Sequence, residues 1–344
     1  MKKFFALIGA RNKEFYRDRS ALIWTLLFPF IVLAGFTYGY SGRQDPLLRV
    51  AVLHSNASSV PALVEFQKTP GMAFTTTSDE PAAMRKLERY ESDLVLSTGT
   101  SENSFTYSYN KDSDKGRLAE RLLVDAFSRQ PEPRAKLEVR AMTGTPIRYS
   151  DWLLPGLLAM NIMFGSMFGV GYVIVRYRKN GVLKRLRATP LSAFQFLVAQ
   201  VFSRMMLMVV TSFMVVIGSM FLIGFRSHGS WFDLMIFLAV SSIAMISLGL
   251  MVAARLASEE VAEGVLNLMT WPMIFLSGIW FSLEGASQWV IFTAKLMPLT
   301  HIVDGLRTIL IDGASLAQLM PQITVLLGLS ALFIAVASLI FKWR

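Results

Sequence analysis

The chain has 344 residues, of which 53% are hydrophobic and only 17% charged, with a net charge of +10 and no cysteine. A soluble domain carries about a quarter of its residues as charges, so ordinary globular folding is excluded for the whole chain, and several uncharged runs are long enough to cross a bilayer. The lack of cysteine excludes disulfides and thiol chemistry, and the excess base sits beside apolar segments, where topology and membrane lipid explain it better than nucleic acid does.

Residues 1–21 read as an amphipathic interfacial helix, with Phe4, Ile8, Phe15 and Leu22 on one face at 100° per residue and Arg11 intruding on it. Residues 22–40 form a first uncharged run, interrupted by Pro29, whose kink is tolerable inside a bundle. Residues 41–150 change character, with acids and bases in balance. Strands are expected at 49–53, 93–96, 104–109 and around Leu137, Val139 and Ala141. Helices are expected at 79–91, with Pro81 in the first turn, and at 114–128, with Leu118, Leu122 and Ala126 on one face. This is one small mixed α/β domain, facing water outside the membrane.

Membrane-length runs resume at 152–175, 193–225, 234–254 and 264–283, and the last lies within 313–341. Arg204 is the single charge inside a run; it is read as an interface mark, with 193–203 lying flat and 205–225 crossing. Twenty-one residues cover about 31 Å, enough for the hydrocarbon core. The fold class is thus a polytopic α-helical membrane protein of six transmembrane helices, residues 151–344 contributing five. Counting Lys and Arg beside the spans places both termini on the cytoplasmic side of a plasma (bacterial inner) membrane and the 41–150 domain outside.

The segment 176–190, RYRKNGVLKRLRATP, has six bases and no acid. Composition alone makes it a topology marker, but 181–192 also reads as a short helix. Val182, Leu183 and Leu186 form its apolar face, Lys184, Arg185 and Arg187 point elsewhere, and Pro190 ends it. The second cytoplasmic turn, 255–263, carries Glu259, Glu260 and Glu263, either a solvated helix end or a second contact; Glu259 and Glu263 share a face. Gly165 and Gly169 form a G-x-x-x-G that lets helices approach closely, at a subunit interface or internally. Pro298 leads a set, His301, Asp304 and Arg307, spaced to face one way, which suits a hydrogen-bonded network at the outer rim better than catalysis.

Energy has no entry point in this chain. No G-x-x-x-x-G-K-[ST] nucleotide loop occurs, the three histidines lack metal-ligand spacing, and the spans hold almost none of the buried acids a gradient-coupled carrier uses. Asn161, Thr211, Asn267 and Thr270 are the polar residues left to line a path. No catalytic residue, metal site or bound cofactor is expected, and the chain is not expected to be an enzyme.

The basic residues, then GVLKRLRATPLS, then a hydrophobic segment resemble the loop after the second span of type-2 ABC-transporter permeases, close to G-T-L-x-R-L-x-x-[ST]-P. Gly181, Leu183, Arg185, Leu186, Thr189 and Pro190 match; Val182 stands where Thr is usual, and an acid usual before the glycine is absent. Pro298 through Asp304 to Arg307 is similar to that family's late P-x-x-x-x-x-[DE]-x-x-R region. The resemblance implies a homodimeric exporter subunit that docks separate ABC ATPase subunits, with ATP and Mg held by the partner. The 181–192 helix would couple the two, with 255–263 as a second contact. The cargo implied is a drug or another hydrophobic molecule. Two other classes stay open on the residues: a membrane-anchored ligand-binding receptor and a gradient-driven carrier.

Overall fold

The computed structural model describes residues 2–39, 47–53, 66–98, 104–128, 136–142, 148–187, 193–256, 258–283 and 286–340. They form two units, Met1–Gly39 with Tyr149–Arg344, and Tyr40–Arg148.

In the helical unit, the amphipathic N-terminus forms α1 (Lys2–Arg17) and the first apolar run forms α2 (Arg19–Gly39). Their apolar parts, Leu7–Arg17 and Leu22–Thr37, are bent by 57°. Ile8 and Phe15 are buried, Phe15 against Leu207 and Met208; the side chain of Phe4 lies outside the described residues. Pro29 lacks the N–H that would bond Thr25. Asn161 of a neighbouring helix donates to that Thr25 carbonyl at 2.9 Å, which accommodates the proline.

The next span is one continuous stretch, Tyr149–Lys179, made of α5 (Tyr149–Ser166), a π-helical segment (Met167–Tyr172) and α6 (Val173–Lys179). A short helix α7 (Val182–Arg187) follows. The expected break at Arg204 does not occur: α8 runs uninterrupted over Ala193–Leu222. Arg204 sits within it, its guanidinium donating to the Gly165 carbonyl and set 5.1 Å from the Phe15 ring. A helix keeps its own backbone bonded, so one inward-turned charge with partners does not end it.

The remaining helices are α9 (Trp231–Ala253), α10 (Glu259–Leu276), α11 (Gln288–Lys295), α12 (Pro298–Leu310) and α13 (Met320–Ile340). Among the described residues, four helices are long and apolar enough to cross a membrane, or five crossings if the bent α1–α2 pair counts as one. The run expected at 264–283 does not belong to them. Only its first part lies in α10, which opens on Glu259, Glu260 and Glu263 and stops before Ser277 and a left-handed Gly278 (φ 72°).

The core joins Leu153, Leu154, Leu157 and Leu158 of α5 to Phe237 and Leu238 of α9 and to Ile302, Val303 and Leu306 of α12. Close approach is set by glycine: a Cβ on Gly171 would lie 2.8 Å from the Gly249 carbonyl of α9. The π-helical segment therefore packs backbone to backbone on α9.

The second unit is a five-stranded sheet in the order β2-β1-β3-β4-β5: β1 (Leu48–Leu53), β2 (Met72–Thr77), β3 (Leu94–Thr98), β4 (Ser104–Asn110) and β5 (Lys136–Met142). Only β3 and β4 pair antiparallel; the β1–β2, β1–β3 and β4–β5 pairs are parallel. Strand alternation sends Leu48, Val50, Val52, Leu94 and Leu96 to one face, under helix α4 (Asp114–Ser128). Ala51, Leu53 and Val95 meet helix α3 (Glu80–Glu88) on the other. Asp79 caps α3 by accepting from Ala82 N–H, with Pro81 in the first turn. The buried stripe of α4 is Ala119, Leu123 and Ala126, while Leu118, expected on that face, is 47% exposed.

Candidate functional site

The basic loop is built around one glycine. Gly181 has φ 68°, the left-handed region that suits glycine. Its N–H is bonded to the Arg178 carbonyl, closing α6, and its own carbonyl accepts from Arg185 N–H, opening α7. The two helices thus meet in a corner of two residues. On α7, Leu183 is buried and turned inward, and Lys184 and Arg185 are exposed. Leu186 and Arg187 belong to α7 by their backbone; their side chains, with Thr189 and Pro190, lie outside the described residues.

The bases just before the corner hold the turn at residues 253–260 in place. Arg178 donates to the carbonyls of Ala253 (3.0 Å) and Ala254 (3.3 Å) and also to that of Leu256. These are carbonyls at the C-terminal end of α9, where a helix lacks internal donors and favours a cation. Lys179 lies 3.5 Å from both Glu259 and Glu260, and the Tyr172 hydroxyl donates to Glu259 at 2.7 Å. Ser258 caps α10, accepting from Val261 N–H. Its hydroxyl donates to the Glu260 carboxylate and, with Lys179 nearby, holds that carboxyl below its ordinary range. Of the three acids expected to face a partner, Glu259 is therefore engaged within the chain. Glu260 is 77% exposed despite its ion pair, and Glu263 is exposed. The basic corner and the turn at residues 253–260 form one bonded platform, which residue spacing alone does not reveal.

The α1 helix is tied to the same end. Arg11 donates to the Gly169 carbonyl (2.7 Å), the Tyr177 hydroxyl (3.0 Å) and the Glu14 carboxylate (2.6 Å). An i→i+5 segment disturbs the ordinary pattern of helical donors, and here the Gly165 and Gly169 carbonyls take arginine donors from α8 and α1. A Cβ on either glycine would overlap Met208 or Arg204. The G-x-x-x-G face is thus in contact with α8 of its own chain.

At the opposite end, His301, Asp304 and Arg307 do not bond one another. The His301 ring nitrogen Nε2 pairs with the Lys295 carbonyl at 2.8 Å. Arg307 donates to Gly278 O at 2.7 Å, and its guanidinium lies 3.7 Å from the Trp152 ring centre, a close cation–π contact. Pro298 occupies the first turn of α12 and is buried. Around them Phe36 stacks on Trp280 and Tyr149 on Trp152, and the Tyr149 hydroxyl donates to Trp280 O. Aromatic side chains with a polar tip gather where a membrane meets water.

The polar residues expected to line a path are largely spoken for. Asn161 serves Thr25, Thr211 bonds the Leu207 carbonyl in its own helix, and Thr270 that of Asn267. Asn267 is half-buried on α10. No group of three or more His, Cys, Asp or Glu residues able to hold a metal occurs among the described residues.

A family model described as "ABC-2 family transporter protein" matches residues 19–339. The chain is 27% identical over 222 residues to the "Inner membrane transport permease YhhJ" of Escherichia coli (strain K12), covering 64% of this chain and 59% of that one. It is 21% identical over 188 residues to the "Probable multidrug ABC transporter permease YbhR" of the same organism, covering 54% and 51%. It is 22% identical over 176 residues to the "Linearmycin resistance permease protein LnrN" of Bacillus subtilis (strain 168), covering 51% and 44%. The matched stretch thus spans about half the length of these curated relatives.

Proposed function

The chain belongs to the ABC-2 family of transporter proteins, and on that premise we propose that it is the membrane subunit of an ATP-driven exporter whose motor is a separate ATPase. The observation that carries the reading is the corner at Gly181. It offers Lys184 and Arg185 to a soluble partner at the end of a 31-residue span, while Arg178, three residues earlier, is bonded to the end of α9. A push on α7 would reach two spans through hydrogen bonds rather than through a flexible loop. ATP and Mg would be bound by the partner, and Glu260 and Glu263 supply a second, acidic contact beside the basic one.

The same reading takes the chain as a homodimer with both termini in the cytoplasm and the five-stranded unit outside. It has six crossings, the sixth made by α10 with residues 277–283. The names of two relatives, one multidrug and one linearmycin resistance, favour a hydrophobic drug-like cargo moved outward.

The test is co-purification from the native host. A tagged chain should bring down a subunit with a Walker-type nucleotide loop, and Lys184→Glu with Arg185→Glu should cut its recovery about tenfold or more, as loss of close charge pairs at an interface does. Recovery of the tagged chain with no ATPase would sink the proposal. ATPase activity of the reconstituted complex, measured against a panel of hydrophobic drugs, identifies the cargo.

A further inference from the structure

A cavity of about 450 Å³ lies between α1, α2, the α5–α6 span and α8. At its basic end Arg11 and Arg204 line it beside the Gly169 and Gly165 carbonyls, with Arg176 further along α6. Its apolar wall, Trp24 and Phe28 of α2 with Phe164 of α5 and Phe168 of the π-helical segment, begins at that same level. Asn161 and Arg176 both line it, so it follows that helix for about fifteen residues, or about 22 Å. That is on the scale of one leaflet, from the headgroups into the chains.

The charges at the basic end are unequal. Glu14 and Asp18 also line the cavity, but Glu14 is bonded to Arg11 and to the Tyr177 hydroxyl, and Asp18 is in contact with other groups. Arg204 has the Gly165 carbonyl and the Phe15 ring but no carboxylate within ion-pair distance among the described residues. Arg176 stands exposed at the mouth. A guanidinium inside an apolar helix is costly without an anion, and its planar fork suits a phosphate. An aromatic and aliphatic trough running on from it suits a hydrocarbon chain rather than a hydrated ion.

We propose that this cavity binds a phospholipid with an anionic headgroup from the leaflet in which α1 lies, its phosphate between Arg204 and Arg176 and one chain along Phe28, Phe164 and Phe168. The lipid would join α1 to the α5–α6 span and α8 at the level of the π-helical segment. The site stands whether or not the chain is driven by an ATPase.

The test is native mass spectrometry of the delipidated full chain offered phosphatidylglycerol, phosphatidylcholine or inorganic phosphate. Phosphatidylglycerol should be retained over phosphatidylcholine, and Arg204→Gln should weaken that retention about fivefold, the effect of one basic group near a membrane surface. If Arg204→Gln aggregates, Arg176→Gln is read instead, with a loss of the same order expected. Equal retention of the two lipids, or retention unchanged in the variant that folds, overturns the proposal. So does inorganic phosphate displacing phosphatidylglycerol at equal concentration, which would mark a site for free anions.

Discussion

Asn161 donates from Nδ2 to the Thr25 carbonyl at 2.9 Å, and Thr25 is the residue whose helical donor Pro29 removes. A proline in one span is thus answered by an amide in another. Asn161→Leu should lower stability by about 1 kcal/mol, the scale of one lost hydrogen bond in a part-buried setting. In a Pro29→Ala background residue 29 regains its N–H, and the same substitution should cost markedly less. A double-mutant cycle on the thermal midpoint of the detergent-solubilised chain reads the coupling; additive effects would contradict it.

Arg178 closes the end of α9 through the carbonyls of Ala253, Ala254 and Leu256. Arg178→Met should destabilise by about 2 kcal/mol, the scale of hydrogen bonds to a charged group. Arg178→Lys should recover only part of this, since a compact ammonium does not span the same carbonyls as a planar fork. Limited proteolysis near residues 254–258 should report the loosening in Met more strongly than in Lys.

Two helical glycines should respond in opposite directions. A Cβ on Gly171 meets the Gly249 backbone at 2.8 Å, whereas one on Gly264 meets nothing within 4 Å. Gly171→Ala should cost about 1–3 kcal/mol by forcing backbones apart. Gly264→Ala should leave stability unchanged or raise it by about 0.5–1 kcal/mol through helix propensity. Thermal midpoints of the two variants, measured side by side, decide it.

In the five-stranded unit, burial pushes the Asp93 carboxyl above its ordinary range, against the Arg49 N–H bonded to it at 2.7 Å and the charges of Lys115 and Arg49. A folded value above the unfolded one means that the carboxyl's contribution to stability is complete below the unfolded value. It is lost as pH rises through the folded one. Asp93→Asn keeps an acceptor for Arg49 without the charge, so β3 amides should exchange more slowly in the variant near neutral pH. The two proteins should coincide at about pH 3, below the usual carboxylate range. Faster exchange in the variant at neutral pH would refute the account.

Four or five of the six expected spans, and the strands and helices within 41–150, were legible because long apolar runs and period-2 alternation are local signals. Misreadings came where the deciding partner is distant in sequence. Arg11 spoils an amphipathic face by pattern, but it is the donor that the Gly169 carbonyl accepts. Arg204 looks like a boundary in a hydropathy profile, yet it is an internal contact of one continuous α8. On α4 the larger Leu118 draws the eye, while the small side chains of Ala119 and Ala126 let the helix lie close to the sheet. The strand β2 has three threonines and two exposed positions, so it lacks an apolar pattern to announce it. The basic loop stood out by charge density, but its bond to the second turn runs through Arg178, Lys179 and Tyr172, and no spacing rule joins these to residues 253–260.

The π-helical segment also preserves an angle. A π turn holds one residue more than an α turn, and an α-helix advances about 100° per residue. Deleting a single residue from Met167–Tyr172 would therefore let the turn revert to α geometry, with Arg178 still facing α9 and Lys179 still facing Glu259. Deleting one from the α-helical Tyr149–Ser166 would instead swing everything downstream by about 100°. The π turn thus stores one surplus residue without changing the compass bearing of the basic corner about ten residues further on.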